Sequence, residues 1–137
     1  MGRACRAAGA LLVVLVITTG CSFTQTPFAR TADDVAATLA AAAASIEYDH
    51  QGKLTDAYAR GSFVGFREAL GGVETSLPAL GGAPDEATVR RLIERLRAVR
   101  PILSSPCLDN RCDWDGQVQA LRGASDAFKG AADAATP

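Results

Sequence analysis

The chain has 137 residues, 14 of them basic and 15 acidic, for a net charge of −1. That balance argues against nucleic acid as a partner and against a polybasic membrane patch, and the length suits one small domain around a single core. Aromatic residues make up 6%, Ala is abundant, Val and Ile are sparse after residue 20, and neither strand alternation nor an internal repeat is visible, so the expected class is all-α.

The first element is a leader. Arg3 and Arg6 stand without a neighbouring acid, and residues 7–17 are apolar or small. That run has the length of a secretory core and falls short of the roughly 18 apolar residues a membrane-spanning helix needs. Small residues, Thr18, Thr19 and Gly20, lead to Cys21. The stretch Thr18-Thr19-Gly20-Cys21 resembles the lipobox of bacterial lipoproteins, departing from it at the first position, where an aliphatic residue is usual and Ile17 lies one place too early. The resemblance implies cleavage between Gly20 and Cys21 and acylation of Cys21, hence a cell-envelope protein tethered to a bilayer with its domain facing the periplasm or the exterior. Two or more acyl chains at about 0.8 kcal/mol per buried methylene hold a stable anchor. An ordinary secretory signal and an uncleaved anchor are the competing readings of the same residues. Loss of Arg3 and Arg6 would take the net charge from −1 to −3.

Residues 21–30 read as a lipidated tether containing Pro27, and residues 31–132 as the folded unit. Thr31 is a suitable N-cap, with Asp33 and Asp34 set against the helix dipole. Val35, Leu39, Ala42 and Ile46 follow as one stripe through an Ala-rich helix. Gly52 interrupts it. Leu54 and Tyr58 continue a stripe, Phe63, Phe66 and Leu70 form another, Gly61 and Gly65 weaken the helix between them, and Gly71-Gly72 stop it. Residues 73–84 read as a loop, with Leu77 and Leu80 turned toward the core. Pro84-Asp85-Glu86 opens the clearest amphipathic helix. Its apolar face is Val89, Leu92, Ile93, Leu96 and Val99, Arg90, Arg91, Arg95, Arg97 and Arg100 cover the rest, and Pro101 kinks or ends it. Asp113 caps a last helix bearing Trp114, Val118, Leu121 and Phe128, and residues 133–137 are expected to fray. Three or four helices with short connections make a small antiparallel bundle.

With Cys5 removed and Cys21 acylated, Cys107 and Cys112 remain. In an exported setting the pair reads as a local disulfide. A redox couple or half a zinc site is the rival, but the spacing is not C-x-x-C and no second Cys/His pair completes four ligands. Glu47-x-x-His50 has the i, i+3 spacing of di-iron carboxylate bundles. The chain has one His, so a full centre would need a second copy, with Glu68, Glu74 or Glu94 completing the shell. A surface Glu-His pair is the plain alternative, and no metal or other cofactor is expected.

The run from Asp109 to Gly116 invites a calcium-loop reading. With Gly116 at loop position 6, Arg111 and Arg122 fall where anions are required, and the template fails. The arginine face suits surface pairing from Glu86 to Arg90 and from Glu94 to Arg91 and Arg97, or the docking of an anionic partner or lipid head groups. No Ser-His-Asp set or phosphate-cradling glycine loop is present, and the protein is not expected to be an enzyme.

The stretch "AYARGSFVGFREALGGVETSLPAL", followed by the Arg-rich helix, also resembles the periplasmic helical region of bacterial iron permeases over about a third of the chain, on Ala, Leu and Glu placement. The leading expectation is a non-enzymatic interaction or structural module for another envelope protein. The alternative is a metal- or small-ligand-binding accessory to uptake, centred on Glu47 and His50.

Overall fold

The computed structural model describes residues 25–137; the leader, the cleavage site and Cys21 lie outside them. Four long helices carry the fold, with no strand among the described residues: α1 (Pro27–His50), α2 (Asp56–Ala69), α4 (Glu86–Ser104) and α5 (Trp114–Ala134). A single turn, α3 (Val73–Ser76), and a 3-10 turn (Leu77–Ala79) separate α2 from α4. The all-α bundle expected from the sequence is the observed class.

The chain runs up α1, down α2, up α4 and down α5. The longest interface joins α1 to α5, and α1–α2, α5–α4 and α2–α4 close the square, so α4 lies diagonally across from α1. The 24-residue α1 sets a bundle height of about 36 Å. Its lower end holds Thr26, the Gly81–Pro84 turn, the start of α4 and the end of α5. Its upper end holds His50 and the Cys107–Cys112 loop.

The start of α1 differs from the expected one. Thr26, not Thr31, is the N-cap: its hydroxyl accepts from the Ala29 N–H at 3.1 Å, and Pro27 opens the helix. Thr-Pro is the stronger signal because Pro gives up an N–H that has no helical partner at that position. The Phe28 N–H, one of the orphans of the first turn, donates instead to the Gly81 carbonyl at 3.1 Å. Phe28 and Ala29 are fully buried, so residues 27–30 belong to the folded unit rather than to the tether. Asp33 reaches across to Lys129 at 2.9 Å.

Alanine does the packing between α1 and α5. Ala32, Ala36 and Ala43 on α1 and Ala124 and Ala132 on α5 are buried. The backbones approach closely enough for the buried Ser125 hydroxyl to donate to the Ala36 carbonyl at 2.7 Å. Three buried rings, Phe28, Phe63 and Phe128, supply the bulk. Helix α2 runs unbroken through Gly61 and Gly65, which lie on its exposed side. The segment read as loop 73–84 instead makes two short turns that drive Leu77 into the core and leave Leu80 half-buried. Helix α4 continues past Pro101 to Ser104 and buries Leu103; Arg67 donates to the Leu103 carbonyl at 3.1 Å. The expected frayed tail is shorter than 133–137, since α5 reaches Ala134 and Ala135 packs against the core. No helix among the described residues is long and apolar enough to cross a membrane.

Candidate functional site

The upper end gathers most of the residues singled out from the sequence. Cys107 and Cys112 form a disulfide, their Cα atoms 5.9 Å apart. Asp109 lies with them in a group with metal-ligand spacing, but both sulfurs are spent on each other and neither is a thiolate. The Cys107 N–H donates to the Gln117 side chain at 2.7 Å, and the Arg111 N–H to the Asp109 carboxylate at 2.8 Å. The loop is therefore tied to α5 at one end and folded on itself at the other.

Glu47 and His50 have separate partners. The imidazole Nε2 lies 3.0 Å from the Cys107 carbonyl; a carbonyl only accepts, so Nε2 carries the proton. The same ring stacks on Trp114 at 4.5 Å with planes 18° apart. Glu47 pairs with Arg122 at 2.5 Å. A metal at this i, i+3 pair would have to displace both contacts. The arrangement joins the end of α1 to the disulfide loop and to α5, with Trp114 partly buried against the core beneath His50. The residues of the failed calcium template are engaged as caps and pairs: Asp113 accepts from the Gly116 N–H at 2.9 Å, Asp115 from Gln119 at 2.9 Å.

The arginine face pairs differently from expectation. Glu74, on α3, takes Arg97 at 3.1 Å and also Arg100, which in turn donates to the Leu70 carbonyl at 3.3 Å. Arg91 donates to Thr88 at 3.0 Å. Arg90 and Arg95 make no ion pair among the described residues, and Glu86 and Glu94 do not take the arginines assigned to them. For Arg97 the reason is reach: α3 brings the Glu74 carboxylate against the side of α4, and a partly sheltered partner beats an i, i+3 neighbour in open water.

The hydrogen bond from Arg100, with that from Arg97 and both charges, holds the Glu74 carboxyl below its ordinary range despite some desolvation. A depressed pKa means stabilisation present above the ordinary Glu value and lost as pH falls through the lowered one. Glu74→Gln should therefore cost about 1 kcal/mol at neutral pH. In urea unfolding across a pH series, the gap to the parent should narrow once pH drops below about 4.3.

One feature the sequence reading did not single out is a groove of about 500 Å³ beside the start of α4. Pro78, Pro84, Val89 and Ile93 line it, with Glu86, Arg90 and Arg97 at its edges. Ile93 is the trace it leaves in the sequence, an apolar residue to one side of the Leu92–Leu96–Val99 stripe that stays only half-buried. Exposed large apolar side chains lie elsewhere: Tyr58 (65% exposed) and Val64 (45%) on α2, and Tyr48 (44%) on α1, all in the upper half.

Comparison with protein-family models, with curated proteins and with solved structures finds no match.

Proposed function

We propose that this chain is a bacterial envelope lipoprotein whose bundle serves as a non-enzymatic interaction or structural module for another envelope protein. Residues 1–20 act as the signal, Cys21 carries the lipid, and the domain faces the periplasm or the exterior. The lipobox-like Thr18-Thr19-Gly20-Cys21 supports the anchor.

The observation that supports the module is polarity along the bundle. The chain enters the fold at the lower end, at Thr26, while Tyr48, Tyr58 and Val64 stand exposed on α1 and α2 in the upper half. Amphipathic aromatic side chains held on rigid helices are suited to protein contact. Glu47 and His50, the centre of the metal-accessory alternative, are engaged with Arg122, Cys107 and Trp114, and nothing further favours that reading.

Mass spectrometry of the N-terminus from a bacterial host tests the anchor. A diacylated or triacylated Cys21 is the expected species; an unmodified thiol, or a membrane-bound chain still beginning at Met1, overturns it. The module is tested by photo-crosslinking in intact membranes from position 58 and, as a control, from the exposed Asp126 on α5. One recurrent protein adduct from position 58, lost in Tyr48→Ser and absent from 126, is expected. Equal adducts from both positions would remove the argument.

A further inference from the structure

We infer that the outward face of α4 lies on the bilayer surface and contacts anionic phospholipid headgroups, so that the domain rests on the membrane in one orientation. This rests on the lipid-anchor reading of Cys21 and adds to it a second contact.

Tether length is the first ground. Thr26 lies five positions after Cys21, a reach of about 18 Å when fully extended. Thr26 is fixed in turn. It sits so close to Gly82 that a Cβ there would come within 2.6 Å of its Cγ2, and the next residue but one is bonded to Gly81. The tether therefore leaves the bundle beside the turn that opens α4, and the first turns of that helix are held within reach of the headgroups.

Charge is the second ground. The exposed face of α4 carries Arg90, Arg91, Arg95 and Arg97, against Glu94 among them and Asp85 and Glu86 at the lower lip. The face is net positive on a chain whose overall charge is negative. Arg97 is shared with Glu74 and Arg91 bonds Thr88 near the Asp85 carboxylate, but Arg90 and Arg95 make no ion pair among the described residues. Basic side chains within a Debye length of an anionic leaflet are drawn to it, by about fivefold in affinity each.

Shape is the third ground. Apolar-floored grooves flank the helix on both sides: the one of about 500 Å³ over Val89 and Ile93, and one of about 390 Å³ against α5 over Leu92 and Ala127. Arginine stems can lie along such walls while their guanidinium groups reach phosphate. Because α4 is diagonal to α1, this seating also leaves Tyr48 on the side away from the bilayer.

The test supplies the lipid chemically. In a chain beginning at residue 21, the disulfide leaves Cys21 as the only free thiol, and residues 25–137 enclose the whole core. A maleimide lipid coupled to Cys21 tethers the domain whether or not a cell acylates it, so failure here is separable from failure of the native mass measurement. A photo-crosslinker is placed at the exposed Ala98 on α4 or at the exposed Ala57 on α2.

On vesicles containing phosphatidylglycerol, lipid adducts should form from 98 and not from 57. They should fall about fivefold for each of Arg90→Gln and Arg95→Gln, and be nearly absent on pure phosphatidylcholine. Circular dichroism checks that the variants stay folded. Equal yields on the two vesicle types, equal yields from the two positions, or no lipid adduct from 98 would overturn the proposal. The last result would return the arginine face to a protein partner.

Discussion

Phe28→Ala should lower the free energy of unfolding by about 3–5 kcal/mol, the range for deleting a buried aromatic ring, measured as a urea midpoint shift at unchanged slope. Phe28 is fully buried at the foot of α1, where its backbone is bonded to the Gly81 carbonyl. Its removal opens a cavity just where the chain enters the bundle. A tether residue in the same place would shift stability by no more than about 0.5 kcal/mol. The measurement therefore separates a folded unit that begins at Thr26 from one that begins at Thr31. A result near zero would put residues 27–30 back in the tether and lengthen the leash on which the membrane seating depends.

The second large effect is expected at Gly82. Its φ is +82°, and a Cβ added there collides with the Thr26 side chain, 2.6 Å from both Oγ1 and Cγ2. Thr26 is the cap of α1 and cannot move without giving up its bond to Ala29. Gly82→Ala should therefore cost about 2–5 kcal/mol, from left-handed strain together with overpacking. Gly72 is the internal control. Its φ is +78° with nothing within 4 Å, so Gly72→Ala should cost only the strain, about 1–2 kcal/mol. Thermal unfolding of the two variants side by side reads the difference; equal shifts would mean that Thr26 yields and the lower turn is not a fixed strut.

Local signals in the sequence carried the upper loop and the last two helices well. Pro84-Asp85-Glu86 opens α4, with the Asp85 carboxylate accepting from the Thr88 N–H at 2.9 Å. Asp113 caps α5, Cys107 and Cys112 are bonded, and Val118, Leu121 and Phe128 face inward. Each of these rests on residues within a few positions of one another. At the start of α1, Asp33 and Asp34 have the pattern of first-turn acids, but Thr26-Pro27 is the stronger signal and opens the helix earlier. Gly61 and Gly65 looked like weak points, but on the exposed side of α2 the tertiary packing of Ala59 and Phe63 outweighs their propensity.

The partnerships that give the surface its character join residues far apart in the chain. His50 meets Cys107 and Trp114, Glu47 meets Arg122, and Glu74 meets Arg97 and Arg100. Nothing in the local pattern of either partner announces the other. Glu47 and His50 share one helical face by spacing, and the fold offers each a different neighbour.

The four-helix path brings both ends of the described chain to the same pole, Thr26 beside Gly82 and Ala134–Ala135 beside Pro84. A fluorophore or affinity handle added after Pro137 would crowd the attachment point and report on events there. The Asn110–Arg111 tip, exposed at the opposite pole, is the place for a probe meant to sense whatever approaches from solution. Energy transfer between two such labels would act as a ruler along the long axis.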